Sequence, residues 1–201
     1  VVSLNKLKTK KNLFLVKDFP SYPNKYPFSD FKLFYEDAKY YLRKRIELPI
    51  IKSNVLQVAL HIRRGDFKEG SCQDRFFSNQ RTDINYFLKI INDLKIYFVQ
   101  NDLEAHFTIY TDQLNLVINE INLSLQNLSI VSNDPFDDFF KICNSDIIVI
   151  SPWSTFSGLA AILGNPNTVI YPEELHYQFT SLPIQFNLID PNFIASDLKI
   201  K

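Results

Sequence analysis

The sequence predicts an α/β protein: a parallel sheet of about five strands with helices on both faces. Three observations predict it. From Val55 onward, short apolar runs alternate with stretches of helical period. The apolar runs are nearly continuous in Val, Ile and Leu, as strands buried on both faces are. Hydrophobic residues make up 46% of 201, enough for a sizeable core.

The elements follow in order. Residues 1–28 are Lys-rich, then rich in Pro, Tyr and Phe, and read as an irregular lead-in. Ser29 or Asp30 heads a helix over 31–46, where Phe31, Phe34, Ala38, Tyr41, Leu42 and Ile46 recur at helical spacing. Residues 55–62 form the first strand, and 63–82 a long polar loop. Thr82 or Asp83 caps a helix reaching about residue 98, with Ile84, Phe87, Leu88, Ile91, Leu94 and Phe98 on one face. A strand over 107–111 leads into a short helix near 114–120, and 129–132 is the third strand. Asp134 followed by Pro135 starts a helix, a capping carboxylate before a proline already in helical φ. Its buried stripe is read as Phe136, Phe139, Phe140 and Cys143. Residues 147–150 are the fourth strand, 154–163 a helix stopped by Gly164 and Pro166, and 168–171 the fifth strand.

Composition narrows the function. The 22 acidic and 22 basic residues cancel, which argues against a generic binder of nucleic acid or anionic membrane but allows a local basic site. No apolar run approaches the ~18 residues that span a bilayer, and no signal-peptide pattern opens the chain. Cys72 and Cys143 form neither a metal spacing nor a disulfide framework, which mildly favours a reducing compartment. The four glycines spell neither GxGxxG nor GxxxxGK[ST], so the common dinucleotide and mononucleotide fingerprints are absent.

Chemistry concentrates at strand ends. His61-Ile62-Arg63-Arg64-Gly65-Asp66 closes the first strand. Two adjacent arginines there are costly unless something anionic meets them, and the carboxyl end of a strand is where open α/β sheets bind ligands. A guanidinium fork suits phosphate, since it donates two parallel hydrogen bonds and stays charged. Alternation sends His61 and Arg63 one way and Arg64 the other. Taken alone, the run fits a salt-bridged loop equally well. Ser151-Pro152-Trp153-Ser154-Thr155-Phe156-Ser157 follows the fourth strand and opens a helix, where free N–H groups and hydroxyls make an anion site. Taken alone, it reads more simply as capping by Ser154 or Thr155. Loops after the first and fourth strands open at one sheet edge, so the two motifs can grip a single ligand. Asp112, ending the second strand, either meets a ribose or base edge or caps a helix. Asp134, Asp137 and Asp138 suit a helix macrodipole and do no more than that. Asp-x-Asp is absent, and His61, His106 and His176 have no ligand spacing, so no metal is indicated.

The run His61-Ile-Arg63-Arg64-Gly-Asp66 resembles the HxRRxD signature of fucosyltransferases that make α1,2, α1,6 and protein O-fucose linkages. The stretch from Asp138 through Cys143 and Asp146 to Ser154-Thr155-Phe156-Ser157 and Ala161 is similar to the α1,2-fucosyltransferase pattern, glycosyltransferase family 11. The resemblance covers about residues 30–172. It implies a GT-B-like enzyme whose Rossmann-like half, residues 51–201, binds GDP-fucose, and which inverts at the anomeric carbon without a metal or other cofactor. It implies that Arg64 binds the β-phosphate, that Arg63 and His61 support the phosphates or the loop, and that Ser154, Thr155 and Ser157 hold the diphosphate from the helix side. It further implies that Asp112 meets the guanosine. Asp66 and Glu69 are the acids in position to serve as catalytic base, Glu69 the weaker inference. The resemblance implies a glycan as the acceptor partner. Residues 1–50 then read as the remnant of an acceptor-side region, because the family's Gly-rich start has no counterpart before residue 24. Gly158-Leu159 stands where the family has Trp-Trp. The expected location is a bacterial cytoplasm, at the inner face of the membrane, with a Golgi lumen as the alternative. Two other functions compete with fucose transfer: a non-catalytic GDP-sugar-binding or partner-binding remnant, and a transferase for another nucleotide sugar.

Overall fold

The computed structural model describes residues 55–65, 82–121, 127–151, 154–164, 166–171, 187–189 and 198. The expected helix over 31–46, the domain boundary near 50 and the side chains of Asp66, Glu69, Cys72 and His176 lie outside them.

Strands and helices alternate as expected: β1 Leu56–Ile62, α1 Ile84–Gln100, β2 Ala105–Thr111, α2 Leu114–Ile121, β3 Leu128–Val131, α3 Pro135–Cys143, β4 Ile147–Val149, α4 Thr155–Leu163 and β5 Thr168–Ile170. A sixth strand, β6 Asn187–Ile189, was not expected. It stands outside the strand–helix alternation that reveals β4 and β5, and it exists by pairing with the edge of β5.

The sheet runs β3-β2-β1-β4-β5-β6, with every neighbouring pair parallel. The chain first steps outward from β1 through β2 to β3, then returns to the other side of β1 as β4. The order therefore reverses between β1 and β4. At such a switch point the loops leave the sheet in opposite directions and open a crevice at the carboxyl edge.

Alternation along β1 builds two cores. Val58, Leu60 and Ile62 face α1 and α2, packing with Phe87, Ile91, Leu94, Val117 and Ile121. Ala59 faces α3 and α4, packing with Ile142, Ala160 and Ala161. At the opposite, amino edge, Asp146 aligns three strands. Its carboxylate accepts from the Gln57 N–H at 2.8 Å, and its carbonyl accepts from Asn167 and Thr168 at 2.8 and 3.2 Å.

Two local expectations are corrected. The buried stripe of α3 is Asp138 and Ile142, whereas Phe136 is 62% exposed. Positions 138 and 142 face inward and, as expected, Phe139 and Cys143 pack partly buried against the same core, whereas Phe136, one turn earlier, faces out. Asp138 accordingly does more than suit the macrodipole. Its carboxylate accepts from the Asn133 backbone N–H at 3.1 Å and side-chain amide at 2.7 Å, shaping the turn after β3. Gly164 ends α4 with φ −71°, outside the left-handed region a stop glycine usually adopts. It is needed for space: a Cβ there would meet the carbonyls of Cys143 at 2.5 Å and Ala160 at 2.7 Å.

Candidate active site

The carboxyl ends of β1, β2 and β4 meet at the switch point. His61 belongs to the α4 side of the sheet by strand alternation. Its Nδ1 lies 3.2 Å from Ser154 Oγ, and its ring packs on Phe156 with centroids 4.9 Å apart. Phe156 in turn meets Phe139 edge-on, so the imidazole ends a short aromatic stack. Burial pushes the His61 pKa down to about 4, against the nearby Asp112 carboxylate and with the help of the Arg63 charge. The imidazole is therefore neutral near pH 7.

This contact changes the reading of the second motif. Ser154 occupies the N-cap of α4 yet makes no side-chain cap hydrogen bond, because its hydroxyl is turned to His61. Its backbone N–H donates to the Ser151 carbonyl at 3.1 Å. The buried Ser157 hydroxyl accepts from the Ser151 N–H at 3.3 Å. Both serines thus build the turn, and the hydroxyl of Ser154 leaves the first-turn N–H groups of α4 without that cap. Thr155 is the first residue of α4. Thr82, just ahead of α1, brings its hydroxyl to 3.5 Å from Ser151 Oγ, and the Tyr86 hydroxyl donates to the Ile150 carbonyl at 3.3 Å. The chain leaving β1 thus returns to the same edge.

On the other side of β1 stands Arg64, 1% exposed. Its Nε and one terminal nitrogen both contact Glu120 Oε2 of α2, at 2.9 and 2.8 Å. Its other terminal nitrogen donates to the Arg63 carbonyl at 3.3 Å. Asp112, placed by the end of β2, accepts from the backbone N–H groups of Arg64 at 2.7 Å and Gly65 at 2.9 Å. A Cβ on Gly65 would sit 2.7 Å from Asp112 Oδ2, so glycine is required for this clasp. Tyr110, level with His61 across the β1–β2 pair, has its phenol pushed up to about 12 by burial and then by Asp138. Burial likewise pushes the Cys143 thiol to about 12, which leaves it unreactive.

The structure therefore brings together His61, Arg63, Arg64, Asp112, Ser154 and Ser157, drawn from the ends of three parallel strands. It does not bring the Arg64 guanidinium into the crevice: that group is committed to Glu120. Among the described residues, no three His, Cys, Asp or Glu side chains cluster as metal ligands would. Glu120 was missed in the sequence, although it is the one charged residue of α2. A single carboxylate on a helix with no other charge was the available signal.

The sequence model of glycosyl transferase family 11 matches residues 2–181. The chain belongs to that family. The match spans both motifs, the paired arginines after β1 and the serine-rich turn before α4. It makes this family 11 glycosyltransferase a fucosyltransferase by kinship, with a nucleotide sugar and a glycan as its substrates. No curated protein matches the chain. Among the described residues, no helix of this glycosyltransferase is long and apolar enough to cross a membrane.

Proposed function

We propose that the crevice between the β1 and β4 turns binds the diphosphate of GDP-fucose, and that the protein transfers fucose to a glycan hydroxyl with inversion and without a metal. The observation that carries this reading is the His61–Ser154 contact, which ties the arginine turn to the start of α4 at the switch point.

The chemistry asks for three things. The acceptor oxygen forms a bond to the anomeric carbon while the bond from that carbon to the β-phosphate oxygen breaks. Negative charge then grows on GDP and must be stabilised as it appears. The N–H groups and dipole of α4 supply one part of that stabilisation. Arg63 supplies the other: it follows His61 by two residues, and its charge is near enough to disfavour the imidazolium. A neutral, buried His61 keeps the turn in place without adding a charge that titrates near pH 7. The acceptor proton goes to a carboxylate in the segment after Gly65, with Asp66 or Glu69 as the candidates. Asp112 has its carboxylate on the β1 turn, and a contact with guanosine would use its remaining lone pairs. The acceptor linkage proposed is α1,2, the transfer being made from the cytoplasmic side.

Release of GDP from GDP-fucose, measured across a panel of glycan acceptors with and without EDTA, tests the reading. Turnover that survives EDTA and falls about 10²–10³-fold in Arg63→Ala is the expected result. Turnover that prefers a UDP-sugar, that vanishes with EDTA, or that occurs with no acceptor at all would each overturn it.

A further inference from the structure

We propose that Glu120 is a positioning residue of the donor site, acting through Arg64 to hold Arg63 in place. The inference rests on the diphosphate reading given above and assigns the two adjacent arginines different tasks.

Strand parity sets up the difference. Ile62 faces α1 and α2 and Arg64 meets α2 through Glu120, while His61 packs on Ser154 and Phe156 at the start of α4. Continued alternation past the strand end would send Arg63 with His61. Arg64 emerges beside α2 and meets its only carboxylate. Two of its nitrogens contact the same Glu120 oxygen, and the third reaches back to the Arg63 carbonyl. The guanidinium therefore bridges α2 and the backbone of the neighbouring arginine. Asp112 holds the next two amides, those of Arg64 and Gly65. Ser154 and Phe156 hold the His61 ring two residues earlier. Arg63 is thus flanked by fixed groups on both sides, and Glu120 anchors the one that touches its own carbonyl.

A guanidinium this buried cannot lose its proton, so without Glu120 it must seek water or another anion. Either movement releases the Arg63 carbonyl. An arginine that contributes to a diphosphate site only in one orientation then loses its preorganisation.

The test is the affinity for GDP of the full chain, by calorimetry, in two backgrounds. Glu120→Gln should weaken GDP about tenfold in the wild-type background and less than twofold in the Arg63→Ala background, because it acts through Arg63. Arg64→Lys keeps a charge but cannot bridge Glu120 and the Arg63 carbonyl together, and should show the same pattern. It serves as the second route if Glu120→Gln folds poorly. Equal losses in both backgrounds would mean a general structural role and overturn the proposal. So would Glu120→Gln binding GDP as tightly as wild type, or more tightly, since Arg64 would then be the phosphate ligand that Glu120 restrains. Wild-type protein that binds no GDP would overturn the diphosphate reading itself, and this inference with it.

Discussion

Arg64 and Glu120 differ in burial, 1% against 23% for the side chains, and that difference decides which partner is harder to remove. Glu120→Ala strands a fully buried guanidinium, whereas Arg64→Ala leaves a carboxylate that water can reach. We expect Glu120→Ala to cost on the order of 3 kcal/mol and Arg64→Ala clearly less, read from urea midpoints. Equal losses would refute that ordering. His61 carries a second expectation, about pH. Its pKa is near 6.5 unfolded and about 4 folded, so the unfolded state takes up a proton first. The stability associated with the neutral ring is present above pH 6.5 and is lost as pH falls towards 4, up to about 3 kcal/mol. His61→Asn, which has no titrating ring, should lose less stability than wild type across that window. Parallel pH profiles for the two proteins would exclude the mechanism. Parity was legible for this residue: alternation in the sequence already separated His61 from Arg64. What Arg64 meets was not, because Glu120 lies 56 positions away.

At the scale of elements, helix starts were readable where the capping group is local. Asp83 accepts from the Asn85 N–H, and Asp134 from the Phe136 N–H, both at 2.9 Å. Asp134→Ala should cost about 1 kcal/mol, measured by thermal or urea unfolding. Helix α4 breaks the rule, since its cap serine is recruited by a histidine 93 residues earlier in the chain. Its end breaks another, since Gly164 is chosen by the carbonyls of α3 and α4 that press on it. Gly164→Ala should therefore destabilise by roughly 1–3 kcal/mol, although alanine is the better helix former. A neutral or stabilising result would show that α3 and α4 separate easily.

For the molecule as a whole, function depends on topology. The two motifs lie about ninety residues apart in sequence, and the parallel order alone sets them side by side at the reversal between β1 and β4. A ligand bound there touches segments that leave the sheet in opposite directions, so it should stabilise the fold as a unit. GDP at a hundred times its dissociation constant should add about 2.7 kcal/mol, which for a chain of this size is roughly 5–10 °C in melting temperature. UDP at the same concentration should add much less. Equal shifts with both nucleotides would place recognition in the diphosphate alone, and no shift with either would remove the crevice as a nucleotide site.

The sequence by itself determined the alternation of strands and helices, the parallel sheet, the two motifs at its carboxyl edge and the family. These follow from period, capping groups and short-range spacing, which are properties of neighbouring residues. Tertiary structure decided the rest: that β6 joins the edge, that Ser154 serves His61 instead of its helix, that Asp112 clasps the arginine turn, and that Arg64 turns to Glu120. Each of those depends on which distant backbone or side chain arrives within hydrogen-bond reach, and local pattern carries no record of distance in space.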